Sequence, residues 1–510
     1  MIGRMTAGMR ALGPVRTAFL CSLLLSAIAV WNTPVLNRDG MFYVEWAQLI
    51  ADQGVAGVSQ YGWLLSFLPA LIALVGTTTG LSLEVTAYLV NALFLAGACG
   101  LLVAIVRQRL PEAAWLACLV VLAMPGYNEY RGQVLREYGL WFFSMLALWL
   151  AMRWEETGRW GEALACQAAL FAAALFRIEA LAYFPALMLW QALAAPSGAR
   201  LRRALMIGCL TLAGAAVAGL LFVSGMMEVP HRLAHLSQAF NPFAKLHAFN
   251  DVAGRMSDLL FGHKYTREEA AYVLFFGLLT IIPVKFLKMS GVLVVPMAYA
   301  FAGHRLRAAL AQWQPLGWLF LAHVLALAAY VTYQYFLVGR YVAMLNLLAV
   351  PLAAAGLAAL MRHFPRWRGL MVALAMLTLL ANVVSLSPKS TQIIEAGKWL
   401  SANVKDPSRV YVDNPRVGFY GGLGYLSSGR LRREVPSHAE AFEQNRFDLF
   451  VLDVPRKDRE VENWLAANRF RIVQRFSNRA GDAVIVAIPA GAQSSPATTE
   501  RSRSNTGTTE

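Results

Sequence analysis

Thr17-Ala-Phe-Leu-Cys-Ser-Leu-Leu-Leu-Ser-Ala-Ile-Ala-Val-Trp-Asn-Thr-Pro-Val-Leu36 runs straight into Asn37-Arg-Asp-Gly-Met-Phe-Tyr-Val-Glu-Trp-Ala47. The first run carries no charge and, at about 20 residues, is long enough to cross a bilayer. Arg4, Arg10 and Arg16 precede it, as in a secretory signal. No convincing small-residue cleavage site precedes the polar segment, so the pattern predicts an uncleaved first helix with its N-terminus inside. Where that helix leaves the membrane, Arg38, Asp39 and Glu45 stand beside Phe42, Tyr43 and Trp46. Asp39 then has two readings. It is a functional candidate at the mouth of a membrane cavity, or it caps a short helix beginning near Gly40.

The rest of the chain follows the first run. Of 510 residues, 58% are apolar and only 15% charged, against about a quarter charged in soluble domains. Mean hydropathy is +0.49. The net charge of +15 does not point to nucleic acid, because many of the Lys and Arg residues lie in short clusters between apolar runs, as cytoplasmic loops do. The cysteines, Cys21, Cys99, Cys118, Cys166 and Cys209, all fall inside apolar runs, with neither a disulfide framework nor zinc spacing.

Charge placement orders the helices. Arg107 and Arg109, the segment 153–162 and Arg200, Arg202 and Arg203 belong inside, which predicts about eleven crossings across residues 1–386. Trp63–Val75, with Pro69, is short enough to cross or to lie at the interface. The polar loop Gly225–Glu269 is far longer than the loops before it, and such loops are usually functional. Ala270–Ile282 and Gly291–Ala302 make one net crossing around an external turn holding Lys285 and Lys288. Residues 387–490 alternate helix and strand patterns and form a small α/β domain outside the membrane. Residues 491–510 are Ser/Thr-rich and predicted disordered.

On this map one face of the membrane collects Asp39, Glu45, Glu129, Arg131, Arg136, Glu137, Arg177, Glu179, Lys285, Lys288, Arg340 and Tyr341. Singly, each charge can anchor a helix end or pair locally, as Arg177 and Glu179 would. Together they are what a membrane-embedded site requires. Carboxylates beside clustered cations at a lipid boundary suit group transfer from a lipid phosphate. The cations hold the phosphate as charge develops on it, and a carboxylate takes the acceptor's proton. His231, His235, His247 and His263 share the long loop, but no acidic partner stands in metal-motif spacing. Gly421-Gly-Leu-Gly424 reads as a turn, lacking the Walker pattern.

Asp39 with Tyr43 and Ala47 after an apolar first helix resembles the first external loop of GT-C glycosyltransferases, of the protein O-mannosyltransferase (family 39) and lipid A aminoarabinose transferase type. Pro125-Gly-Tyr-Asn-Glu-Tyr-Arg131 with Leu135-Arg-Glu137 is similar to their second external loop, and Gly339-Arg-Tyr341 and the terminal domain fit the same group. The resemblance implies a polytopic all-α membrane protein of GT-C fold with a small C-terminal α/β extracytoplasmic domain, in a bacterial inner membrane. It implies an inverting transferase with a polyprenyl-phosphate sugar donor and a lipid, glycan or protein acceptor. By it Asp39 is the base, and Arg131, Arg136, Lys285, Lys288 and Arg340 are candidates for the donor phosphate. Tyr43, Glu129, Glu137, Arg177, Glu179 and Tyr341 are further substrate-site candidates. Gly40 stands where a second acidic residue commonly follows the first, so no metal or other cofactor is expected, with a divalent ion left open. Two other classes remain: a transporter or flippase of lipid-linked saccharides, and a non-catalytic scaffold.

Overall fold

A computed structural model describes residues 2–59, 67–224, 242–260, 268–302, 313–384, 389–424, 437–444, 446–456 and 460–490. His231, His235, His263, the beginning of Trp63–Val75 and the tail 491–510 lie outside these residues. The chain divides into two units: Met1–Val30 with Gln53–Ser385, and Trp31–Asp52 with Leu386–Glu510. The polar segment Asn37–Ala47 thus groups with the C-terminal residues, which sequence order does not suggest.

The helices run α1 (Ile2–Asn32), α2 (Arg38–Ser59), α3 (Phe67–Thr79), α4 (Leu83–Arg109), α5 (Ala114–Ala123), the single turn α6 (Pro125–Asn128), α7 (Glu137–Thr157), α8 (Trp160–Phe176) and α9 (Tyr183–Ala194). They continue as α10 (Arg200–Val223), α11 (Pro242–Leu260), α12 (Ala270–Ser290), α13 (Val294–Ala302), α14 (Leu316–Gln334), α15 (Gly339–Leu348), α16 (Val350–His363) and α17 (Arg368–Val383). Among the described residues five helices are long and apolar enough to cross a membrane, or six if α15 and α16, bent by 54°, count as one span. The expected eleven exceeds this because further apolar helices, such as α3 and α8, are only 10–17 residues long.

The bend has visible causes. Pro351 opens α16 without an N–H to give. Asn346, fully buried, donates to Phe286 O at 3.1 Å and Ser290 Oγ at 2.8 Å, tying α15 to the end of α12. A Cβ on Gly356 would sit 1.9 Å from Pro296 O, so α16 meets α13 backbone to backbone, the usual device where no hydrophobic drive separates helix from lipid. One expectation is corrected here: α12 continues through Pro283 to Ser290, placing Lys285 and Lys288 on a helix near its C-terminus rather than in a turn. Lys288, in the last turn, meets the negative end of the helix favourably.

Charges collect at both ends of α7. Near its end Glu155 accepts from Arg109 at 2.9 Å, its carbonyl accepts from Arg203 at 3.1 Å, and Arg153 reaches Glu162 at 3.1 Å. These are the three segments that charge placement put on one side. Glu137 stands at its start, about 27 Å away at 1.5 Å per residue, close to the thickness of a hydrocarbon core.

In the second unit α18 (Thr391–Asn403), α19 (Pro415–Tyr420), α20 (His438–Glu443) and α21 (Glu460–Ala467) surround strands β1 (Val410–Val412), β2 (Leu449–Val454), β3 (Phe470–Ser477) and β4 (Ala483–Pro489). The sheet order is β1-β2-β4-β3, with β1 and β2 parallel and the other pairs antiparallel. Strand alternation sorts the faces. Val410, Val412, Val451, Val484 and Val486 pack on Ile393, Ala396 and Leu400 of α18, while Tyr411, Phe450, Leu452 and Ile485 pack on Ala441, Val461 and Leu465. Leu36 N–H donates to the Tyr420 hydroxyl at 3.0 Å and Lys389 Nζ to Trp31 O at 3.0 Å, which explains why Trp31–Asp52 belongs to this unit.

Where β1 and β2 end, both Asp413 carboxylate oxygens accept from Asp453 N–H, at 3.0 and 2.9 Å. Burial, with the Asp453 charge adding to it, pushes Asp413 up to about 7. An unfolded Asp loses its proton near pH 4, so this group makes the unit less stable as pH rises from about 4 to 7. Asp413→Asn keeps an acceptor oxygen and removes the charge. At pH 8 it is expected to stabilise the unit by roughly 2–4 kcal/mol and to flatten the pH dependence, read as slower hydrogen exchange of β1 and β2 in the full chain. Unchanged exchange at pH 8 would refute the buried-charge account.

Candidate functional site

Glu137 opens α7, where the positive end of the helix favours an anion, and Arg177 ends α8, where the negative end favours a cation. Their side chains are 3% and 6% exposed and meet at 2.6 Å. Arg177 also donates through Nε to both oxygens of Glu179, each at 3.2 Å. Its guanidinium lies over the Tyr341 ring, 4.2 Å from the centroid. Arg340 Nε approaches Glu137 Oε1 at 3.3 Å, and its side chain keeps 23% exposure. Two cations and two carboxylates thus share one knot, in which Arg177 is committed to its neighbours and Arg340 has the most exposed side chain, at 23% against 19% for Glu179.

The fold holds Arg340 from behind. Arg340 sits in the first turn of α15, whose positive end its own charge opposes, so Glu137 is needed to keep it there. A Cβ on Gly339 would lie 2.7 Å from the Tyr130 hydroxyl, so glycine lets Tyr130 reach the start of α15 without shifting. His323 Nε2 lies 2.9 Å from Tyr341 O and Nδ1 lies 2.9 Å from the Tyr183 hydroxyl. A carbonyl only accepts, so Nε2 carries the proton and Nδ1 accepts from Tyr183.

The expected site residues separate into groups. Glu137, Arg177, Glu179, Arg340 and Tyr341 come together in this knot. Glu129 is exposed beside Tyr130, and Arg136 occupies the cap of α7. Arg136, half-buried Lys285 and exposed Lys288 make no ion pair among the described residues. Arg131 does not join them: 3% exposed, it donates to Asn128 Oδ1 at 2.9 Å, to Ser22 O at 2.8 Å and to Ser26 Oγ at 2.8 Å. It ties α1 to the residues after α6, with its Nη2 buried and without a hydrogen-bond partner among the described residues. Asp39 and Tyr43 belong to the second unit. Asp39 is half-buried within the first turn of α2, which begins at Arg38 and not near Gly40, and Tyr43 is buried. Asp39 therefore meets the positive end of the helix dipole from within the first turn. Among the described residues no three His, Cys, Asp or Glu side chains cluster as metal ligands. His323 and Tyr183 escaped the sequence reading. A lone histidine inside the apolar run from Leu316 was the available signal.

These features define a polytopic helical membrane protein with a buried ionic knot and a small α/β unit, a GT-C-type fold. The fold is that of ArnT from Cupriavidus metallidurans, whose crystal structure has undecaprenyl phosphate bound; the two align with a TM-score of 0.54 at 13% identity over 96% of this chain and 100% of that one. The sequence matches no protein-family model and no curated protein.

Proposed function

We propose that the chain is an inverting glycosyltransferase that moves a sugar from a polyprenyl-phosphate donor to an acceptor outside the cytoplasm. The carrying observation is the knot that presents Arg340 at the start of α15, in a fold shared with a protein crystallised with undecaprenyl phosphate. A guanidinium at a helix N-terminus adds its charge to backbone N–H groups, a combination suited to phosphate. Arg340, with Lys285, Lys288 and Arg136, which form no ion pair among the described residues, as further candidates, holds the phosphate. The acceptor oxygen or nitrogen bonds to the anomeric carbon, and the carbon–oxygen bond to phosphate breaks. Polyprenyl phosphate leaves with the electron pair, and the acceptor's proton passes to Asp39, the role that its sequence context suggests. The protein would lie in a bacterial inner membrane, N-terminus in the cytoplasm and C-terminal unit in the periplasm.

Purified protein given a panel of radiolabelled polyprenyl-phosphate sugars and a cell-envelope extract is expected to label one acceptor fraction. Because cations of the chain stabilise the leaving group in this reading, EDTA should leave the rate unchanged. No labelling with any donor, alongside movement of intact donor across vesicles, would favour a flippase instead.

A further inference from the structure

The long segment between α10 and α12 contains α11, and α11 with α12 and α14 walls an open cleft of about 850 Å³, within the size range of ligand sites. One wall is aromatic. Phe249 stacks on Tyr335 with ring centroids 6.1 Å apart and planes 10° from parallel, and meets Phe275 edge-on at 6.4 Å. Tyr272 stands largely exposed at the rim. Tyr335 takes a left-handed conformation, φ 61°, as the cap of α14. Glycine or asparagine fills such a position with less strain, and a bulky ring persists there only where its surroundings hold it. Here that conformation belongs to the ring stacked on Phe249.

The other wall is polar. Asn250, Asp251 and Arg255 line the cleft, and among the described residues no hydrogen bond or ion pair engages their side chains. Asp251 and Arg255 are spaced i, i+4, where an ion pair forms readily, yet they stay apart.

This composition selects the ligand. A site for an acyl or prenyl chain has no use for three unengaged polar groups, an anion site would not include Asp251, and a cation site would not include Arg255. A sugar ring fits all of them: its C–H face lies on an aromatic wall while neighbouring hydroxyls bond to amide, carboxylate and guanidinium. The cleft lies where α14 ends and α12 begins, both in segments apolar enough to cross a membrane. Tyr335 and Arg340 are five positions apart, a reach of at most about 18 Å. We propose that this cleft binds the saccharide part of a membrane-anchored acceptor; the word acceptor rests on the transferase reading.

The test is saturation-transfer NMR on the full chain in lipid nanodiscs, with water-soluble oligosaccharide cores released from bacterial lipopolysaccharide as probe. Wild type is expected to bind. Tyr335→Asn, which tolerates the left-handed cap but removes the ring, and Asp251→Asn with Arg255→Gln, at exposed positions, should each weaken binding about tenfold or more. In transfer assays the same variants should raise the acceptor KM while kcat and the donor KM hold. No binding by wild type, or equal binding by both variants, overturns the proposal. The binding arm needs no chemistry, so it decides even if the chain transfers nothing. Transfer that persists without saccharide binding at the cleft rejects the cleft and spares the transferase.

Discussion

Asp39→Asn is expected to lower sugar transfer by about 10²–10⁴-fold, the usual contribution of a positioned general base, while expression and membrane insertion stay intact. Its place in the first turn of α2 makes asparagine the informative replacement. The side chain keeps its size and its hydrogen-bonding oxygen, and only the charge goes. The charge's interaction with the helix dipole is worth about 0.3–1 kcal/mol at an exposed site, too little to unfold the chain. A helix-supporting Asp39 would therefore leave the rate nearly unchanged, whereas a base would not. The assay is labelled transfer by purified variant and wild type at matched protein; activity within a few-fold of wild type would remove Asp39 from the mechanism.

Glu137→Gln is expected to be the most destabilising single change in the ionic knot. Glu137 faces both Arg177 and Arg340, and its side chain is 3% exposed. Without it Arg177 keeps Glu179 while Arg340 loses its ion pair with Glu137, and breaking a buried pair by removing one partner costs about 3–5 kcal/mol. Glu179→Gln should cost less, since Glu179 is 19% exposed and Arg177 keeps Glu137. Replacing Glu137 and Arg177 together by methionine should recover part of the loss, because the uncompensated charge goes with them. Thermal unfolding of detergent-solubilised full chain measures all of these. A Glu137→Gln midpoint equal to wild type would show that the knot does not hold these helices.

His323 would respond in a distinctive way if the knot presents Arg340 through the start of α15. It grips the Tyr341 carbonyl, one peptide from Arg340, and is itself held by Tyr183. Support of this kind acts through the backbone and leaves no trace in the spacing of charged residues.

Much of the protein was legible in its residues. Apolar runs of about 20 residues have one stable solution in lipid, because only a helix satisfies its own backbone there, and α1, α4 and α14 follow from that. Alternating helix and strand patterns in residues 387–490 similarly announced the small α/β unit that holds β1 to β4. Glu137, Arg177, Glu179, Arg340 and Tyr341 were singled out by a general rule, that a charge at the membrane needs a reason. That rule sees charge and depth along one helix, and it cannot see a partner on another. Tertiary packing alone decided that Arg131 bonds to Ser22 and Ser26 while Arg340 pairs with Glu137. It also decided that α12 runs through Pro283, and that Tyr335 turns its ring onto Phe249 to wall a cleft. Sequence determined which segments must be helix or strand, since backbone hydrogen bonding and burial are local demands. Which side chains meet depends on how those segments pack, and residues more than a hundred positions apart, such as Arg131 and Ser22, become neighbours only then.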